Sequence, residues 1–338
     1  MEPEDLWTSR LPKRLAERAP RTERGEKYEI AYIDGQQINR QLNDFAGTRP
    51  LSGDDSVPLT SGRLRYGLAK EFEMGAITQE LADSVLHIQL NRPEKRNALN
   101  DTMFDELILA AEAARDNTNL AAVVLSGAGR SFCAGLDFAV HQTLANEGAA
   151  GQRPFADPAD PNSIGQRRPG RGQRIVRALR DSPVPVIAAM QGHAIGGGLQ
   201  LALGADIRIV TADIVIACAE IDFGMTVDMG GSQLLPRLIG ADRALDLLVS
   251  GRRITGVQAH SWGLATRISD DPLSEAFELA RGIAQRNRQA IVASKHLVRL
   301  AETVSVENGM REELSVMSSN IGSPAQVHAV QQYFARRT

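Results

Sequence analysis

Two glycine-bearing loops carry the backbone groups best placed to do chemistry. Phe132-Cys133-Ala134-Gly135-Leu136-Asp137 follows an apolar run and a Gly127-Ala128-Gly129 turn. His193-Ala194-Ile195-Gly196-Gly197-Gly198 opens directly into Leu199-Gln200-Leu201-Ala202-Leu203. Glycine lets a backbone approach a ligand closely, and N–H groups at a helix start carry partial positive charge. Two such groups from separate loops can converge on one carbonyl oxygen and stabilise the enolate left when a neighbouring carbon loses its proton. Taken singly, each loop is better read as a tight strand-to-helix connection. Other reactive side chains offer less. His87, His141, His260, His296 and His328 are scattered without metal-ligand spacing. His193 is expected to pack or to bond the backbone. Cys133 has no histidine placed in sequence to activate it and reads as a small buried residue.

The elements that position these loops read as alternating strands and helices. Val85, Ile88 and Leu90 lie in a strand-like run ended by Asn91-Arg92-Pro93. Asn100 or Asp101 caps a helix whose apolar stripe is Met103, Phe104, Leu107, Ile108 and Ala111. Short apolar runs at Ala121–Ser126 and Val184–Met190 read as buried strands, with two more at Asp206–Val210 and Ile214–Ala217. After Gly230 the pattern turns helical: Ser232–Ile239, Ala241–Val249, Gly256–Trp262, Leu273–Arg286, Ala290–Thr303, and one stretch from Val306 to Phe334. This alternation implies an α/β class with loops at strand ends available for chemistry. Asp206 is expected to tie its strand to the preceding helix.

The chain is 338 residues long, enough for one large domain with an appendage. Residues 1–76 form an expected irregular extension, 77–250 the core and 251–338 a C-terminal helical region. Within the extension only Tyr28–Ile33 alternates like a strand, and 46–63 is linker chemistry. Segment 146–174, dense in Gly, Pro, Arg and Gln, reads as a lid or a disordered insertion. A net charge of −3 argues against a nucleic-acid partner. Two cysteines cannot build a disulfide framework, and no apolar run reaches the roughly 18 residues of a membrane span. The expectation is a cytoplasmic protein without membrane insertion.

Considered together, the motifs are specific. Arg92-Pro93-Glu94-Lys95-Arg96-Asn97-Ala98-Leu99-Asn100, the Cys-Ala-Gly-Leu-Asp loop and Gln191-Gly192-His193-Ala194-Ile195-Gly-Gly-Gly resemble the enoyl-CoA hydratase/isomerase (crotonase) superfamily in order and spacing. So do Ala205-Asp206-Ile207-Arg208 and Glu220-Ile221-Asp222-Phe223-Gly224. The resemblance covers about residues 77 to 338. It implies a crotonase-like spiral of ββα repeats, a C-terminal helical oligomerisation region, and trimers or hexamers of an enzyme of lipid metabolism. It places the oxyanion-hole N–H groups at Leu136 and Gly197. It puts Lys95, Arg96, Ala98, Ala134, Gly135, Asp137, Gly196 and Gln200 beside the acyl-CoA substrate. Coenzyme A would enter as part of that substrate, with no separate cofactor and no metal. Residues 1–30 faintly resemble an amidohydrolase N-terminal fragment that carries no metal ligands, and no activity is assigned to them.

The resemblance also identifies the acids. Hydratases of this superfamily hold water between two glutamates twenty positions apart; here those positions are Gln200 and Glu220. A Gln amide donates and accepts hydrogen bonds but does not exchange a proton at neutral pH. Asp228, eight residues after Glu220, resembles the dienoyl-CoA isomerase-like branch, which usually has an acid at the Gln200 position too. Glu220 and Asp228 are therefore the expected catalytic pair for double-bond isomerisation. Asp228 also suits the N-cap of a helix starting near Gly230; Glu220 suits a surface carboxylate capping a loop. Asp222 is expected to act at most through another group. Two alternatives stand: hydration of a 2-enoyl-CoA, and a catalytically silent acyl-CoA-binding protein.

Overall fold

The computed structural model describes residues 72–147 and 170–335. The expected strand at 28–33, the linker at 46–63, the fragment at 1–30 and most of the 146–174 segment lie outside them. Strands β1 (Phe72–Met74), β2 (Ile77–Ala82) and β3 (Val85–Leu90) form an antiparallel meander. Among the described residues, regular structure is already present at Phe72–Met74, ahead of the expected boundary at Ile77. Asp83 and Ser84 both take positive φ (49° and 62°), the geometry a two-residue hairpin needs to follow the strand twist.

Helix α1 (Asp101–Asp116) starts where expected, because the Asn100 side chain accepts the Met103 N–H at 2.9 Å. It buries Met103, Phe104, Leu107, Ile108 and Ala111. Next come β4 (Ala122–Gly127), α2 (Phe138–Glu147), α3 (Arg171–Asp181) and β5 (Val186–Met190). Both β4 and β5 are buried at every position, as central strands of a covered parallel sheet must be. The chain then repeats one unit. β5 in the large sheet leads to β6 (His193–Ile195) in a small one, then to α4 (Gly197–Ala202). β7 (Ile207–Val210) likewise leads to β8 (Val215–Ala217), a 3-10 turn at Ala219–Phe223 and α5 (Gly231–Ile239). With β9 (Arg267–Ile268) the large sheet has the order β1-β2-β3-β4-β5-β7-β9, and β6 pairs with β8 beside it. These are ββα repeats.

The remaining helices are α6 (Ala241–Ser250), α7 (Gly256–Ser261), α8 (Pro272–Ala284), α9 (Arg288–Leu300), α10 (Val306–Asn320) and α11 (Pro324–Ala335). Ala276 and Ala280 of α8 pack on Val124, Ile187 and Ile209, so each face of the sheet has its own core. The stretch expected as one helix from Val306 to Phe334 is two. Gly322, at φ 76°, and Pro324 break it. None of the described helices is long and apolar enough to cross a membrane.

Asp206 departs from expectation. Its Oδ2 accepts the Val186 N–H (2.8 Å) and the Lys295 Nζ (2.6 Å), and Lys295 also donates to Val184 O (3.0 Å). It therefore joins α9 to the start of β5 rather than its strand to the preceding helix. Burial pulls the Lys295 pKa down while Asp206 opposes the shift. Replacing Asp206 by Ala strands a buried cation and should cost about 3 kcal/mol, read as a lower urea midpoint. Adding Lys295→Met should recover most of that loss, and no recovery would show that the pair is not the cause.

Candidate active site

The 132–137 loop is clamped between two segments. On one side Cys133 N–H donates to His193 O (2.9 Å) and Ile195 N–H to Cys133 O (3.1 Å). On the other, Ala134 N–H donates to Arg96 O (2.9 Å), Leu99 N–H to Gly135 O (2.7 Å) and Asp137 N–H to Leu99 O (2.8 Å). This pairing passes over the Leu136 N–H, which takes no acceptor among the described residues. Gly135 has φ 91°, and a Cβ there would lie 2.6 Å from Ile195 O and 3.7 Å from Gly197 N. The two glycine loops therefore touch at a distance only glycine permits. Gly197 opens α4, where first-turn N–H groups have no intrahelical acceptor. Leu136 and Gly197 thus bring two donors to the meeting point of two loops, suited to one carbonyl oxygen.

Glu220 stands over this junction, on the 3-10 turn that Gly224 ends at φ 69°. A Cβ on Gly196 would come within 3.2 Å of Glu220 Oε1. That oxygen accepts Gln200 Nε2–H at 2.7 Å. The other, Oε2, is buried without a partner among the described residues. Burial raises the Glu220 carboxyl; its own backbone N–H and the Gln200 amide work against the rise. Glu220 is therefore no surface loop cap. Gln200 is itself buried, and its Oε1 accepts the N–H groups of Met229 (2.8 Å) and Gly231 (3.1 Å).

Asp228 does not cap α5; Gly230 occupies the N-cap with no side-chain bond. Surrounding protein first, and the Glu220 charge second, push its carboxyl up to about 6. The residue nevertheless has substantial contact with water. A carboxyl surrounded by protein on one side and open to water on the other meets both descriptions, and that water screens its neighbours' charges.

Leu136, Gly196, Gly197, Gln200, Glu220 and Asp228 thus gather in one place. The other expected residues sit around them. Lys95 and Arg96 are exposed on the Pro93–Lys95 turn, next to the clamp through Arg96 O. Ala98 is buried, and its carbonyl accepts Arg92 Nη1–H. Ala134 and Gly135 contribute backbone to the clamp. Asp137 is committed to structure: it pairs with Arg92 at 2.9 Å and accepts the Ala139 N–H at 3.2 Å. Burial alone would raise its carboxyl, but these partners hold it below the usual value.

His193 bonds a side chain, Ser131 Oγ at 2.9 Å, where packing or a backbone bond was expected. Cys133 is buried, donates to Asn97 O, and burial pushes its thiol up to about 12, which makes it inert. Asp222 is exposed and faces Arg253 at 3.8 Å. Two contributors escaped the sequence reading. Asn97, fully buried at φ 57°, accepts the Arg92 N–H and donates to Ala128 O and Ser131 O. Arg92 holds Asp137. Their only sequence signal is an Asn and an Arg flanking a Pro turn. Phe138 and His141 of α2 meet Phe223, whose ring stacks on His141 at 4.1 Å, so α2 is tied to the Glu220 turn. The described residues contain no group of side chains suited to a metal ion.

The sequence pattern of the enoyl-CoA hydratase/isomerase family matches residues 80–338. A peroxisomal Delta(3,5)-Delta(2,4)-dienoyl-CoA isomerase of Arabidopsis thaliana is 30% identical over 69% of this chain and 84% of its own. The 1,2-epoxyphenylacetyl-CoA isomerase of Escherichia coli is 32% identical over 69% of this chain and 86% of its own. The mitochondrial rat dienoyl-CoA isomerase is 36% identical, and the match spans 62% of this chain and 64% of that protein. Among solved structures, an enoyl-CoA hydratase from Polaromonas sp. JS666 superposes with a TM-score of 0.68 at 28% identity, covering 78% of this chain and 98% of its own. Relatives named peroxisomal and mitochondrial lend no support to the cytoplasmic expectation.

The site's electrostatics can be read directly. Asp228 should titrate near pH 6 in carbon-13 spectra of labelled aspartate, and Glu220→Gln should move that titration to lower pH by removing the repelling charge. An Asp228 signal unmoved by Glu220→Gln would mean the two carboxyls do not sense each other.

Proposed function

The chain belongs to the enoyl-CoA hydratase/isomerase family, and from that premise we propose that it shifts double bonds within an unsaturated acyl-CoA. The observation that carries this reading is a pair of carboxyls held in unlike environments around one amide. Burial raises both carboxyls, and Gln200 donates to Glu220, which opposes the rise and favours its ionised, proton-accepting form. Asp228, raised to about 6, holds a proton more readily than an ordinary aspartate. Environments that separate two carboxyls in this way define a base and an acid.

In the proposed cycle the thioester oxygen sits between the Leu136 and Gly197 N–H groups. Glu220 takes a proton from the carbon beside the thioester, and the electron pair spreads into the conjugated chain as an enolate. Asp228 gives a proton to the far end, and the double bonds move inward. One proton has then passed from substrate to Glu220 and one from Asp228 to product, and a transfer between the two resets the site. Coenzyme A enters as part of the substrate, and no separate cofactor takes part. Lys95 and Arg96, exposed beside the clamp, suit its phosphates. Relatives named as dienoyl-CoA isomerases support the choice of reaction. A silent binding protein would have no use for a buried, unpartnered carboxylate oxygen, which is costly to keep.

We further propose that copies associate through the C-terminal helices. Val298 on α9, Met310 and Leu314 on α10, and Phe334 on α11 are large apolar side chains left exposed by one chain. Such a face is rarely left open to water. Leu314→Asp should lower the mass measured by light scattering; an unchanged mass would place the contact elsewhere.

The reaction is tested on 3,5-dienoyl-CoA, 3-enoyl-CoA and crotonyl-CoA in parallel. Isomerisation should predominate, and Glu220→Gln and Asp228→Asn should each lower kcat by about 100-fold or more. The falling alkaline limb of kcat/KM should reflect loss of the Asp228 proton and vanish in Asp228→Asn. Faster water addition to crotonyl-CoA than any double-bond shift would overturn the assignment.

A further inference from the structure

Helix α2 begins two residues after the Leu136 donor and buries none of its residues. Three rings join it to the Glu220 turn. His141 lies nearly flat on Phe223, with centroids 4.1 Å apart and planes at 19°, and Phe138 stands edge-on to both at 6.3 Å. Burial lowers the His141 pKa, so at neutral pH uncharged rings meet. Both phenylalanines nevertheless stay open: Phe138 is 67% and Phe223 47% exposed. Neighbouring exposed aromatic rings mark a contact surface. Their place along the site follows from the chain. Residues 96–99 and 134–137 run parallel, with Ala134 N–H on Arg96 O at one end and Asp137 N–H on Leu99 O at the other. Lys95 and Arg96 mark the phosphate end of that track and Leu136 the thioester oxygen; Phe138 lies beyond it. Phe223 follows Glu220 by three residues on the same 3-10 turn. One exposed ring is thus tied to the oxyanion donor and the other to the base, and the two meet past the thioester position.

We propose that Phe138 and Phe223 form a wall that receives the far part of the acyl group. The wall selects acyl-CoA thioesters carrying a planar π system there, a conjugated chain or an aryl ring, over saturated groups of equal size. This rests on the proposed isomerase reading and names the substrate class within it. Aromatic groups attract one another in offset or edge-to-face geometry beyond what burial of their area supplies. With His141 against one face of Phe223, an incoming acyl group meets the ring's other face and the open Phe138 ring. A saturated chain gains burial there but no ring contact. It also has more torsions to freeze, whereas a flat conjugated group arrives with few.

Matched ligands test the wall. The thioesters 6-phenylhexanoyl-CoA and 6-cyclohexylhexanoyl-CoA share length and nearly share bulk, and neither has a double bond to move. Cyclohexyl is the more apolar group, so burial alone favours it. Calorimetry on the parent protein should instead show the phenyl form bound about fivefold or more tightly. Phe138→Leu combined with Phe223→Leu should bring the two affinities within about twofold, and Phe223→Trp should keep the phenyl preference. Should the double variant not fold, Phe138→Leu alone, at the more exposed ring, carries the test and should cut the preference by about twofold or more. The same preference should appear in kcat/KM for 3,5-dienoyl-CoA substrates ending in phenyl and in cyclohexyl. Equal affinity for the two saturated ligands in the parent, or a preference unchanged by the leucine variants, overturns the proposal. A lower mass by light scattering in those variants with the preference intact assigns the rings to a contact between copies and overturns it as well. The readouts separate the two ideas. If the parent isomerises nothing, the proposed reaction fails while the saturated pair still decides the wall. If it isomerises and the saturated pair bind alike, the wall alone fails.

Discussion

The site depends on how closely the 132–137 backbone approaches the 193–198 backbone. A side chain at Gly135 would collide with Ile195 O, and one at Gly198 with Cys133 O. Ladder bonds between Cys133 and His193–Ile195 hold the two loops at that separation. A second ladder, to Arg96 and Leu99, holds the outer edge. Asn97 then anchors the outer segment by filling three backbone groups from a left-handed conformation that Asn tolerates better than most residues. The packing arrangement leaves the Leu136 N–H without an acceptor among the described residues. A donor excluded from a ladder beside a helix N-terminus is suited to stabilise an anion.

Around this backbone frame the side chains divide the labour. The loops can polarise a thioester whichever bond changes next, so they carry no information on the product. In the proposed cycle that choice sits with Gln200, Glu220 and Asp228. Glu220 is half-buried, with one oxygen hydrogen-bonded and the other buried without a partner among the described residues, a condition that costs on the order of 1–3 kcal/mol in a folded protein. A carboxylate in that state is tolerated where the empty direction is the one a substrate proton will occupy. Asp228, at the wetter rim, suits the exchange of a proton with the far end of a longer chain.

Much of this was legible in the sequence. β4 and β5 are continuous apolar runs because both faces are covered, and Asn100 announces α1 through its side chain. The meeting of the two glycine loops followed from motif order. What escaped depends on partners distant in sequence. Asp206 bonds Lys295 across 89 positions, and no local pattern distinguishes that from a bond to the preceding helix. The break after Asn320 rests on Gly322 and Pro324 inside a long amphipathic stretch. The N-cap alternative for Asp228 was reasonable from residue type alone. It failed because the Gln200 oxygen binds the N–H groups of Met229 and Gly231 and shapes that turn from 29 and 31 positions away.

This last point bears on how one fold can host different reactions at one set of loops. An acid at position 200 and an amide at position 200 have nearly the same shape, and both satisfy the two backbone donors. The difference is confined to a single atom facing Glu220, oxygen in one case and NH2 in the other. Near the oxygen, charge repulsion would oppose ionisation of both carboxyls; near the nitrogen, the amide N–H favours the ionised form of Glu220 against the rise that burial imposes. Because the Gln200 side of the contact is buried, water softens either outcome less than it would at the surface. An exchange that leaves packing, cap and backbone untouched would thus change the charge facing Glu220, and the fold alone does not identify the product.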